Sequence, residues 1–427
     1  MKRIAMVFIM GLILVMGPHP VWAVSEVDAL LNKLVEKGIL STEEAQEVRN
    51  DMAMDSGDIA KAREADTKDV VKKMAGGSWL DKVKWSGDFR LRHESQLREP
   101  AQDRHRERFR LRFGFTAKPV DPLEIGVRLA TGASGDPVST NQSFTNTFDK
   151  KAIFVDRAYG KYTPWSWLNL TGGKMDIPFE ILSENVVWDH DVTPEGVAFQ
   201  WKSPTPIPGL KEWLPVRPFA NVGAFQISEL NGDAGDPALF GFQGGSEVDL
   251  PWGLTWKPSV AYYDFTAIKG TNVSNVTNSP SGNTTVTEGS ARKFRFDYNL
   301  VSLTSRLGIP EILGQPVELV NDWTRNPSAS DDDGAWMAGI EVGKVTEKLG
   351  SWRAAYYYKR LEPDATFGAI ADSDFGAGGT NHKGHILGLQ MGLNKYASMG
   401  LKYFRTDEVE GSQNKVDTLQ VDLQMKF

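Results

Sequence analysis

From Val83 onward the chain alternates apolar and polar residues with a period of two. Val83, Trp85, Gly87, Phe89 and Leu91 are interleaved with Lys84, Ser86, Asp88, Arg90 and Arg92. Phe109, Leu111, Phe113 and Phe115 are interleaved with Arg108, Arg110, Arg112 and Gly114, and Leu123, Ile125, Val127 and Leu129 with Glu124, Gly126 and Arg128. Successive side chains of an extended strand point to opposite faces, so each run predicts a strand with one greasy and one polar side. Such runs also suit a tilted strand that crosses a bilayer in ~9 to 11 residues. Further strand centres fall near Ala158, Leu170, Phe199, Val222, Phe242, Val260, Phe296, Leu319, Ile340, Tyr356, Leu389, Leu401 and Leu423, for a tally of about sixteen. The last run carries the alternation to the end of the sequence: Leu419, Val421, Leu423 and Met425 alternate with Gln420, Asp422, Gln424 and Lys426 before Phe427.

Connection lengths sharpen the pattern. Short connections at residues 118–122, 163–166, 249–253, 345–350 and 394–398, with longer Pro-rich ones at 203–215 and 307–316, interleave with long polar stretches. The long stretches are residues 93–105, 131–151, 176–194, 228–237, 266–292, 326–334, 361–384 and 406–416. Seven short and eight long connections in strict alternation require an even strand number and place both ends of the sheet on the short-turn side. Trp85, Trp165, Trp167, Trp201, Trp252 and Trp352 lie near the short turns, as an aromatic girdle at one membrane interface would. The predicted fold class is an all-β transmembrane barrel of about 16 antiparallel strands, with a short α-helical segment ahead of it. Its last strand, ending in Phe427, resembles the closing strand that outer-membrane assembly machinery reads.

Ahead of the barrel the pattern changes twice. Lys2 and Arg3 precede an apolar run at residues 4–16, followed by Gly17, Pro18, Val21, Trp22 and Ala23, which reads as a secretory signal peptide over residues 1–23. That run is too short and too broken to be a spanning helix. Residues 24–77 are rich in charge and helix formers: Leu30, Leu31, Leu34 and Val35 share one face of a helix that Gly38 ends. Ser41 with Glu44 forms a capping box for a second helix carrying Ala45, Val48 and Met52. The expected division is therefore a signal at 1–23, a helical periplasmic segment at 24–77 and a barrel at 78–427. No other stretch approaches ~20 continuous apolar residues, so a barrel is the remaining way to cross a membrane.

Composition narrows the chemistry. With 41% hydrophobic residues the chain suits a barrel, in which only alternate positions face lipid. Cysteine is absent, which excludes a disulfide framework, a thiol nucleophile and a Cys-based metal site. The net charge of -7 argues against nucleic acid as a partner. No G-x-S-x-G elbow, P-loop or HExxH occurs, and the six histidines offer only the pair His382 and His385 at any ligand-like spacing. Asp331, Asp332 and Asp333, with Asp372 and Asp374, read as solvated loop charge. No catalytic residue, cofactor or metal site is expected.

Two constellations carry the remaining chemistry. Arg90, Arg92, Arg108, Arg110, Arg112 and Arg128 are opposite in parity to the apolar positions of their strands. An Arg on the lipid face costs ~2 to 4 kcal/mol at mid-membrane, so all six are expected to face the lumen as one basic wall. The acids nearby in sequence, Asp88, Glu94 and Glu124, are too few to pair with all of them, which predicts a water-filled interior. The opposing feature is residues 176–194, where Asp176, Glu180, Glu184, Asp189 and Asp191 accompany the apolar anchors Ile177, Phe179, Ile181 and Trp188. A loop this apolar is expected to fold into the barrel as a constriction and set its acids across from the arginines. Rigid strands hold the arginines while loop acids can swing away, which predicts a weak anion preference.

The stretches GDFRLRHES from Gly87, RHRERFRLRFGFTA from Arg104, GVRLATG from Gly126, DRAYGKYTP from Asp156, GGKMDIPF from Gly172 and PEGVAFQW from Pro194 resemble the putative porin family of Gram-negative outer membranes. The resemblance covers nearly the whole chain and implies a passive channel for small hydrophilic solutes, commonly a homotrimer. The expected partners are outer-membrane lipid, the barrel-assembly machinery and further copies of this chain. Two other classes compete with a channel. An outer-membrane hydrolase needs a Ser/His pair that is not found, and a structural or adhesive barrel needs a plugged lumen, which the arginine density opposes.

Overall fold

The computed structural model describes residues 32–38, 41–47, 50 and 82–427, except 211–212, 231, 233–234 and 413. The signal peptide expected at residues 1–23 lies outside the described residues, as do Leu30, Leu31, Val48 and Met52. The chain divides into two compact units, residues 1–81 and 82–427.

In the first unit, the helix at residues 32–36 ends where Gly38 adopts a left-handed φ of 68° and its amide donates to Val35 O. The next helix, at residues 42–47, starts with both bonds of a capping box: Glu44 N–H donates to Ser41 Oγ at 3.1 Å, and Ser41 N–H donates to the Glu44 carboxylate at 2.8 Å. The Ser41 N–H first, and then the Ser41 hydroxyl, hold the Glu44 carboxyl below its ordinary value.

The second unit is a closed antiparallel barrel of sixteen long strands. In order they are β1 (Val83–Glu99), β2 (Arg104–Ala117), β3 (Leu123–Thr131), β4 (Ile153–Trp165), β5 (Leu168–Lys174), β6 (Glu195–Lys202), β7 (Val216–Gln226) and β8 (Ala238–Asp249). They continue as β9 (Thr255–Thr266), β10 (Tyr298–Ile312), β11 (Gln315–Arg325), β12 (Gly334–Gly343), β13 (Trp352–Leu361), β14 (His382–Asn394), β15 (Ala397–Glu408) and β16 (Lys415–Lys426). Each pairs with its neighbour in sequence, and β16 closes the ring on β1 with Leu423 opposite Leu91 and Gln424 opposite Arg90. Closure leaves no wall strand with an open edge, which lipid could not satisfy.

Alternation works as expected at mid-wall. Leu91, Phe113, Ile125, Phe242, Val260, Leu303, Leu319, Leu389 and Leu401 are exposed on the outer face, at 39% to 51% of their surface. Trp85, Trp165, Trp252 and Trp352 are exposed close to the short turns, with Trp165 stacked on Trp167 at 4.9 Å. At the seam, Gly87 and Phe427 exchange both backbone hydrogen bonds, at 2.9 and 3.0 Å. A Cβ on Gly87 would lie 2.5 Å from the Phe427 ring, so glycine there makes the seat for the terminal aromatic, which also stacks on Phe113.

Some expected boundaries move. The polar stretch 93–105 is mostly ladder: β1 and β2 stay paired to Gln96 opposite Arg104, because strands that leave the membrane no longer need a greasy face. Phe296 is not a strand centre but precedes β10, and the Pro-rich stretch 307–316 narrows to a two-residue turn at Leu313 and Gly314. A register irregularity between Ile309 and Ile312 accommodates Pro310 there. Residues 267–297 carry their own short hairpin, Thr285–Glu288 with Ala291–Phe294.

Candidate functional site in the barrel lumen

The six arginines are brought together by register. β1 and β2 set Arg90 directly opposite Arg110 and Arg92 opposite Arg108, while β3 brings Arg128 opposite Gly114. All six side chains are largely buried on the inner face, from 4% exposed at Arg92 to 18% at Arg112. Like charges placed opposite one another repel, so the wall needs counter-charge.

The counter-charge is present, contrary to the expectation that acids would be too few. Asp88 accepts from Arg110 Nη2 and from Arg112 Nε, each at 2.7 Å. Glu94 accepts from Arg106 and from Arg108. Asp422 of β16, across the seam, takes Arg92 through two bonds at 2.7 and 2.8 Å, and Asp374 adds a third at 3.0 Å. Asp191 accepts from Arg112 at 3.3 Å, and Asp156 binds Arg128. Four of these six acids, Asp156, Asp191, Asp374 and Asp422, lie far along the chain from the arginines they meet. Arg90 is the exception: it donates to Asn141 Oδ1 at 2.6 Å and has a carboxylate oxygen, from Asp422, no nearer than 3.9 Å.

Residues 175–194 do fold inward, held by their apolar residues. Phe179 packs edge-on to Tyr263 and Phe225 and beside Trp188. Its ring lies where a Cβ on Gly241 would be, at 2.2 Å, so the glycine of β8 opens the seat for this loop. The acids of the loop scatter around the lumen rather than lining up against the arginines. Asp176 binds Arg157, Glu180 binds Lys257 at 2.7 Å, and Glu184 binds Lys402. Of the five expected constriction acids, Asp191 alone meets the basic wall; Asp189 has no cation partner among the described residues and accepts backbone N–H groups of Asp191 and Ser373.

A second loop shares the lumen and was not anticipated. In residues 362–381, Ala365, Phe367, Ala371 and Phe375 are at most 1% exposed, and Phe367 packs among Phe265, Phe294 and Tyr298 at 5.5 to 5.6 Å. The two loops are tied: Asp189 N–H donates to Ile370 O at 2.7 Å and Ser373 N–H to Asp189 Oδ2 at 2.8 Å. Asp372 and Asp374, read from sequence as solvated charge, are interior groups bound to Lys359 and Arg92. The signal was available, since Phe367, Ile370 and Phe375 make this stretch as apolar as the loop that was recognised. His382 and His385 do not form a pair: His382 packs on Phe375 inside, whereas His385 bonds Tyr356 OH on the outer face.

The loop acids fall into two electrostatic classes. Burial opposes ionisation of Asp191, Asp372 and Asp374, yet all three are held below the ordinary carboxylate value, by Arg110 and Arg112, by Lys359, and by Arg92 respectively. Asp189 is pushed well up, first by burial and then by the neighbouring Asp372 and Asp191 charges.

Three cavities follow one another along the lumen. The outermost, about 750 Å³, includes Thr131, Asp191, Trp188, Phe225, Asn275 and Phe367. The central one, about 150 Å³, shares Trp188 and Asp191 with it and adds Arg90, Arg110, Asp374 and Lys402. The innermost, about 180 Å³, shares Ser183, Glu184 and Lys402 with the central one and reaches Arg353 and Gln424.

A closed barrel of sixteen antiparallel strands, apolar outside and charged inside, defines a porin-class barrel of the outer membrane. The chain belongs to the family described as "Putative porin", which matches residues 96–306 and 312–427. Among solved structures it is similar to the high-pH structure of Pseudomonas putida OprB, at 12% identity and a TM-score of 0.55, over 82% of this chain and 95% of that one. It also matches a loop L8 deletion mutant of OmpT from Vibrio cholerae (11% identity, TM-score 0.47, 81% and 100% covered). A third match is Salmonella typhi OmpF in complex with daunomycin (10%, 0.46, 81% and 97%). No curated protein sequence matches the chain.

Proposed function

We propose that the protein is a passive diffusion channel for small hydrophilic solutes and ions, with the central cavity between the basic wall and the two infolded loops as its narrowest part. The observation that carries this is the run of three cavities sharing lining residues from the outer to the inner end of the lumen. Arg90, Arg92, Arg108, Arg110, Arg112 and Arg128 form one side of the path, and Asp189 and Asp191 face it with Glu184 below; Asp176 and Glu180 sit to the side. Opposed charges across so narrow a section orient dipolar solutes. A weak anion preference rests on Arg90, the one wall arginine without a hydrogen-bonded carboxylate. Single-channel recording of the purified protein in planar bilayers tests the reading: stepwise conductance supports it, and silence from correctly folded protein overturns it.

The wider reading is a homotrimer in the outer membrane, exported by residues 1–23, with residues 24–77 in the periplasm. Lys82 lies at the short-turn end of the barrel, bonding Pro119 O, which supports a periplasmic start. Leu419, Val421, Leu423, Met425 and Phe427 serve as the assembly signal, supported by the seat that Gly87 provides. Deleting Phe427 lowers outer-membrane levels on this reading, and normal levels of the truncated chain refute it.

A further inference from the structure

Charges in the central cavity are almost fully accounted for. Among its lining cations, Arg110 is hydrogen-bonded to Asp88, and Lys402 is bound to Glu184. Arg90 is the least matched: its one side-chain hydrogen bond among the described residues goes to a neutral amide, its nearest carboxylate oxygen, on Asp422, is 3.9 Å away, and its Nε has no protein partner. Its cross-strand neighbours make this worse, since Arg110 stands opposite on β2 and Arg92 lies two residues along β1. A guanidinium that is 12% exposed, flanked by two more and with its nearest carboxylate oxygen 3.9 Å away, lacks a directly bonded anionic partner of its own.

We propose that the central cavity is a binding subsite for a small monocarboxylate, held by Arg90 with Asn141 beside it. A guanidinium offers a planar fork that matches a carboxylate and distinguishes it from a spherical ion such as chloride. The volume of about 150 Å³ holds about five waters at ~30 Å³ each, which suits an anion of acetate size. A second negative charge is disfavoured, because Glu184, Asp191, Asp372 and Asp374 line the same cavity. Position of the subsite follows from the fold: the short stretch Gln142–Ser143 pairs with Phe109 and Arg108 of β2, which carries Asn141 to Arg90.

The inference deepens the channel reading, so its test does not depend on conduction. Titration calorimetry of the full-length, detergent-solubilised protein with sodium acetate should give saturable binding at one site per chain, and sodium succinate should bind at least tenfold more weakly. Asn141→Asp supplies Arg90 with its own carboxylate without touching a wall strand, and should weaken acetate binding at least tenfold; Arg90→Gln should do the same. No saturable binding to the wild type, unchanged binding in folded Asn141→Asp, or tighter binding of succinate would each overturn the proposal. Protein that binds acetate yet never conducts would sink the channel and leave the subsite standing.

Discussion

The lumen has two halves built on opposite chemistry. On the side of β1, β2, β3 and β16, inward positions are charged and are held by ion pairs such as Arg92 with Asp422 and Arg112 with Asp88. On the side of β9, β10 and β12 to β15, many inward positions are apolar: Phe265, Tyr298, Met337, Ile386 and Phe404 are at most 1% exposed, and Phe367 and Phe375 of the second loop pack among them, with Lys359 and Lys402 held there by loop acids. Along the two inner cavities the first half sets Arg90, Arg110 and Asp422, and the second adds Lys402 and Arg353. The comparison teaches that the barrel narrows its own path: one half is filled by loops that hydrophobic packing holds, and the other stays polar because paired charges remain there.

The largest expected effect comes from emptying the apolar half. Phe179→Ala with Phe367→Ala removes both aromatic anchors, each worth ~3 to 5 kcal/mol in a packed core. Single-channel conductance should then rise severalfold; an unchanged value would mean that neither loop limits flow. Next comes the charged half. Replacing Arg108, Arg110 and Arg112 by Gln leaves Asp88, Glu94 and Asp191 short of partners. Breaking a buried pair from one side costs ~3 to 5 kcal/mol, so thermal stability should fall. Reversal potentials in a salt gradient should shift toward cations, and the shift should fade with added salt, since screening acts over ~10 Å at 0.1 M. Reversal potentials that stay put would remove these arginines from the path.

Acid should separate the halves more gently. Asp191, Asp372 and Asp374 are held below their ordinary value of 3.8, so the stability they add is present above that pH and is lost as pH falls through their lowered values. Asp189 has the opposite sign: its raised value favours the neutral form, so its contribution is largest in acid and declines as pH rises. Current noise should therefore grow as pH drops below 3.8, as the charged contacts of both loops loosen while their apolar anchors stay. Noise that stays constant as pH falls from 3.8 through the lowered values of these acids would show that packing alone holds the loops. The smallest effect is a control outside both halves: Ser41→Ala should cost ~1 kcal/mol of local helix stability and leave conductance unchanged. Altered conductance would tie the helices to the pore.

How much was legible follows from the range of each interaction. The parity of Arg90, Arg92, Arg108, Arg110, Arg112 and Arg128 was readable because a strand decides it residue by residue. Phe179 and Trp188 advertised the first infolded loop, and Phe367 and Phe375 would have advertised the second by the same argument. Acid partners were not readable: Asp422 meets Arg92 only because the ring closes, and Asp374 and Asp191 meet the wall only because two loops fold inward.

By itself, then, the sequence determined the strands, their inward and outward faces, the alternation of short and long connections and the porin family, because period and lipid exclusion act locally. Tertiary structure alone decided that the basic wall is paired, that half the lumen is packed and that Arg90 is left without a hydrogen-bonded carboxylate. The reason is physical: charge compensation and packing depend on which groups share a space of a few ångströms, and residues hundreds of positions apart share it only once the barrel is closed.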